Sequence, residues 1–207
     1  MPITTINDTA FHEAGHALIT YLNNDFFLFE YVTIDENFSR MHDYRSIGGI
    51  KGRLKKDTSA LSLIEHDKLC ICSLAGLAAD DINHNNGKVS EEFYNDQIWA
   101  GKMNSNKYLG DSYILGSHLS VLSQNLLVEQ RVYTKSCQEI LYRMFVDESL
   151  SMVLLELRNL LHHSKTLLGD DISAFLDSTF LKSWKQSEWD VNFVNSRRIL
   201  YLDNVID

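Results

Sequence analysis

The sequence predicts a mainly α-helical fold with a small β-sheet, on three observations. A single proline, Pro2, and only ten glycines in 207 residues leave little to interrupt helices. The segments 7–23, 59–82 and 111–163 carry apolar residues at helical spacing. Two short stretches, 27–34 and 47–54, have the length and β-branched content of strands instead.

The elements follow in order. Over 7–23, Asn7 or Asp8 offers a cap, and Ala10, Phe11, Ala14, Leu18 and Leu22 form an apolar stripe. "FLFEYVTI" at 27–34 and "IGGIKGRL" at 47–54 make a hairpin or small sheet, although Gly48, Gly49 and Gly52 weaken the second strand. "SALSLIEHDKLCICSLAGLAADDI" at 59–82 is apolar nearly all round, which marks a helix buried on several sides, and "NHNNGK" at 83–88 ends it. Ser90, Glu91 and Glu92 open a further helix carrying Asp96, Trp99, Ala100 and Met103, because acidic residues complement the positive end of the helix dipole. Two long helices fill 111–163 with a break at "DESLS", residues 147–151, and "LLGDDISAFLD" at 167–177 supplies a turn and a short capped helix. Trp184, Trp189 and "RRILYL" belong to a packed C-terminal extension, 179–207.

Composition excludes several roles. The formal net charge is −9, and no cluster of Lys or Arg forms a stripe that would neutralise phosphates, so nucleic acid is not an expected partner. The first basic residue is Arg40, so the start of the chain lacks a secretory signal's charged region. The longest apolar run, 69–79, falls far short of the roughly 20 residues that span a bilayer. A soluble, cytoplasmic protein is expected. Cys70, Cys72 and Cys137 are an odd number and no disulfide framework; Cys70 and Cys72 read as small buried hydrophobes.

The chemistry centres on "FHEAGHALITYL", residues 11–22. On a helix, positions four apart lie on one face, so His12 and His16 can offer both imidazoles to one ion at about 2.0–2.1 Å. Glu13, turned about 100° from His12, stands beside that ion without having to bind it. A carboxylate there can take a proton from a water made acidic by the metal and return it to a leaving amine, which is the chemistry of peptide hydrolysis. Gly15 in mid-helix costs about 1 kcal/mol against alanine, which the close approach of another backbone would explain. The bland alternative is two ordinary histidines sharing a turn. A third protein ligand is needed. Ile19 and Leu22 stand where a metzincin has its glycine and histidine, while Glu65, Glu91 and Glu92 are candidates for a glutamate from a later helix.

Three motifs in order carry a resemblance: "FHEAGHAL", then "SLAGLAADDI" at 73–82, then "LLHHSKTLLGDDI" at 160–172. They resemble the zinc peptidase domain of FtsH-type membrane AAA proteases. The resemblance implies an FtsH-peptidase-like zincin helical fold with its small sheet beside the active cleft, a zinc metallopeptidase domain over 1–178, and an extension, 179–207, packed on the same domain. In that family the third ligand is an aspartate opening a helix, and "YNDQIWA" reproduces its pattern, which points to Asp96 beside His12 and His16, with Asp111 in "LGDSYIL" as the rival. The sixteen positions from Asp80 to Asp96 also match the family's gap. Glu13 would be the catalytic base and then acid, and Asp80 or Asp81 would orient a ligand histidine. The stretch 31–54 sits where the family pairs an extended substrate with a sheet edge.

The chain departs from the family in carrying no ATPase module, phosphate-binding loop or membrane span, in having Leu77 for the family's arginine, and in having aspartates for two glutamates. His42, His84, His118, His162 and His163 match no family ligand and read as surface or core residues. The expectation is a standalone, ATP-independent zinc metalloendopeptidase acting on peptides or unfolded protein segments, with a homo-oligomer left open. A binding or regulatory protein that keeps the fold without turnover is the alternative.

Overall fold

The computed structural model describes residues 6–41, 48–95, 109–126, 129–185 and Trp189. It is mainly helical with a three-stranded antiparallel sheet. The elements are α1 (Ile6–Leu22), β1 (Phe27–Thr33), α2 (Glu36–Met41), β2 (Gly49–Leu54), α3 (Leu63–His84), α4 (Glu91–Tyr94), α5 (Leu109–Leu126), α6 (Gln130–Val146), α7 (Glu148–Ser164), β3 (Thr166–Leu168), α8 (Gly169–Asp177) and α9 (Leu181–Trp184).

Helix α3 is the axis of the fold, packed against α1, α5 and α6. Its all-round apolar character has that cause: Cys70, Ile71, Leu74, Ala75, Ala78 and Ala79 are almost inaccessible. Ser62 starts it with a capping box, its hydroxyl accepting from the Glu65 N–H at 3.4 Å while Glu65 Oε2 accepts from the Ser62 N–H at 2.8 Å. Asn86 and Gly87 end it with positive φ angles of 53° and 79°. Two tyrosines of α6 donate to buried carboxylates of α3, Tyr133 to Asp67 and Tyr142 to Asp81. These bonds satisfy charges that would otherwise be costly inside the core.

The strand order is β2-β1-β3, with Tyr31 opposite Lys51 and Val32 opposite both Ile50 and Leu167. A register shift between Phe29 and Tyr31 bends β1. Strand β3 is an addition to the sequence reading, being too short for alternation to register. Gly169 follows it because a side chain there would run into the Phe29 carbonyl.

Several expectations change in detail. Helix α1 already includes Ile6, which places Asn7 and Asp8 within its first turn. Helix α8 is entered from Leu168, which has no capping oxygen, and Asp170 and Asp171 complement its dipole instead. The region 111–163 breaks twice: at Asp147, whose carboxylate accepts from the Ser149 and Leu150 N–H groups at 3.0 and 3.1 Å, and again before Gln130. Of the helix expected from Ser90, only Glu91–Tyr94 is described; Asp96, Trp99, Ala100 and Met103 lie outside the described residues, as do His42 and most of the C-terminal extension. The described part of that extension seats on the end of α1, where Trp189 Nε1 donates to Asn23 Oδ1 at 3.0 Å and Lys185 Nζ to the Tyr21 carbonyl at 2.8 Å. Among the described residues no helix is long and apolar enough to cross a membrane.

Candidate metal centre

The 3.6-residue period places His12 and His16 on the side of α1 that meets α3, and their Nε2 atoms converge to 3.1 Å. The third group comes from the first turn of α5. Asp111 Oδ2 lies 3.2 Å from His12 Nε2, and Asp111 Oδ1 lies 3.3 Å from His16 Nε2. His12, His16 and Asp111 form a group able to hold a metal ion. Bonds of about 2.0–2.1 Å in a tetrahedral site place neighbouring ligand atoms about 3.3 Å apart, so the two Nε2 atoms stand near ligand spacing while Asp111 turns one oxygen toward each ring. Asp96, favoured from its motif, lies outside the described residues; among those described, Asp111, the rival, brings its carboxylate to both Nε2 atoms. Glu65 is engaged with Ser62 and with Lys56 Nζ at 2.7 Å, and Glu91 is an exposed helix-start residue; neither belongs to the group.

Helix α3 sets both rings. His16 Nδ1 lies 2.7 Å from the Cys72 carbonyl, an acceptor only, so Nδ1 carries a proton and Nε2, which faces Asp111, is the nitrogen a metal would take once its own proton leaves. His12 Nδ1 lies 3.1 Å from Asp80 Oδ2, with the same result. Asp80 therefore has the orienting role, whereas Asp81 holds Tyr142 and the Ser90 hydroxyl. Both aspartates are buried, in contrast to charges at an open helix end.

Two glycines make room. A β-carbon on Gly15 would stand 2.8 Å from the Ala75 carbonyl oxygen, the close backbone approach expected from its mid-helix position. One on Gly76 would stand 2.6 Å from His12 Nε2 and closer still to His16 Nε2. The Gly76 hollow and the Cys72 carbonyl were not foreseen from sequence; a glycine inside an otherwise apolar helix was the one available signal. Gly76→Ala is expected to push the rings apart, to weaken retention of any metal held there in a metal-content assay, and to destabilise the fold by about 1–3 kcal/mol in chemical denaturation.

The electrostatics favour positive charge at this point. Burial pulls the His12 imidazole down, but hydrogen bonds to Asp111 and Asp80 and the Asp80 charge outweigh it and hold it well above its ordinary value. His16 is raised in the same manner, burial being overcome by the charge and hydrogen bond of Asp111. Burial would raise Asp111, yet the charge of His16 and hydrogen bonds to both rings keep it well below the usual carboxylate range. Glu13, on the next position of α1, is buried, and burial pushes its carboxyl up to about 7 against the opposing charges of His12 and His16.

A cavity of about 380 Å³ opens beside the centre, with His16 and Asp111 in its wall. Ile50, Lys51 and Gly52 of β2 all line it. Phe27 of β1 and Leu54 of β2 line it too, and among the described residues β2 is an outer strand of the sheet. No protein-family model matches this chain, and no characterised protein matches it in sequence.

Proposed function

We propose that this protein is a zinc metallopeptidase of the FtsH-peptidase kind that hydrolyses peptide bonds in peptides or unfolded protein segments without nucleotide. The observation that carries the reading is the convergence of His12, His16 and Asp111 into one group able to hold a metal, with Glu13 on the same turn and the cavity beside them. Two imidazoles and one carboxylate are a donor set that suits zinc, and three protein ligands leave one position open. When bound, zinc supplies a Lewis acid that makes water nucleophilic near neutral pH.

The chain's own residues do the rest. Asp80 and the Cys72 carbonyl hold the two rings in the ligating tautomer. Glu13 accepts the proton of the attacking water and delivers it to the leaving nitrogen. The edge of β2 takes an extended substrate by main-chain hydrogen bonds, which tolerates many sequences. A folded protein cannot present such a strand, so peptides and unfolded chains are the fitting substrates.

Incubation of the purified chain with an unfolded casein-type substrate tests the proposal. Cleavage is expected without ATP, to be abolished by a zinc chelator and restored by stoichiometric zinc. Zinc-loaded protein that leaves such substrates intact would favour the non-catalytic binding role.

A further inference from the structure

A second pair of imidazoles meets away from this centre. His66 lies near the start of α3 and His118 midway along α5, with their Nδ1 atoms 3.0 Å apart. The ring centroids are 5.1 Å apart and the planes are tilted by 56°. That nitrogen separation is nearly the 3.1 Å between the Nε2 atoms of His12 and His16. His66 is buried, whereas His118 lines the cavity, so the pair is closed by helices behind and opens toward the space in front.

Both rings are neutral near pH 7. Burial pulls His66 down despite the neighbouring charge of Glu65, and burial together with His66 lowers His118 to about 4. Protons therefore do not compete for the ring nitrogens. A neutral pair can share one N–H···N bond, or, with both protons on Nε2, direct two Nδ1 lone pairs at one cation. Two imidazoles select zinc, copper or nickel over calcium or magnesium.

We propose that His66 and His118 form a second, weaker site for a first-row divalent cation such as zinc, with its open coordination positions facing the cavity. It is weaker because two protein ligands replace three. An ion there cross-links α3 to α5, whereas an ion at the first centre joins α1 to α5 through His12, His16 and Asp111, so α5 is tied to a different helix at each place. This site does not depend on the catalytic reading.

Equilibrium dialysis of the metal-free full chain against zinc, with bound metal counted by elemental analysis, tests it. His118→Phe, which keeps an aromatic ring and removes the ligand atoms, is expected to bind one zinc fewer than the wild type while retaining the tighter class. Equal stoichiometry in the two proteins overturns the proposal. Should that variant fail to fold, His118→Leu decides by the same count: one zinc fewer than the wild type supports the site, and equal stoichiometry overturns it.

Discussion

Glu13→Gln should lower kcat for cleavage of an unfolded substrate by about 10²–10⁴-fold while leaving zinc content near that of the wild type, the range general acid–base groups contribute. Glutamine matches glutamate in shape, so it fills the buried space on α1 where a β-carbon at Gly48 would already stand 3.0 Å from Glu13 Oε1. It keeps the packing and removes the proton acceptor. The group able to hold a metal is His12, His16 and Asp111, none of which is altered. Metal analysis beside steady-state kinetics separates the two effects. Undiminished kcat in a zinc-loaded variant would remove Glu13 from the reaction.

Asp111→Ala should weaken zinc retention by more than about 100-fold, measured by competition with a chelating dye. Losing merely a partner that orients a ligand costs 10–100-fold, and Asp111 contributes both carboxylate oxygens to the histidine pair itself. Asp96→Ala should leave retention unchanged. The reverse pattern, with metal lost in Asp96→Ala and kept in Asp111→Ala, would restore the ligand set that the motif suggested.

That contrast shows where the sequence is legible. His12, Glu13 and His16 could be read because helical geometry alone relates positions four apart, and no knowledge of the rest of the chain is needed. The buried character of α3 was legible in the same way, from an apolar surface with no polar face. The approach of Asp111 to α1 could not be read because it is set by the course of the intervening chain, which periodicity does not encode; the local pattern favoured Asp96, which lies outside the described residues. The Cys72 carbonyl is a backbone group and leaves no mark in residue identity. Gly76 does leave one, but a missing side chain says that something approaches without saying what. Strand β3 depends on pairing with β1, a long-range contact made by three residues.

The rings of His12 and His16 are held from behind, by groups of α3 that belong to the protein alone. Binding a cation there asks for no rearrangement of the imidazoles, so the entropic cost of assembling the ligands falls on folding and not on capture. Removing a bound ion should therefore leave the fold intact, and refilling should wait on loss of the protons the emptied rings share with Asp111, so recovery should quicken as pH rises.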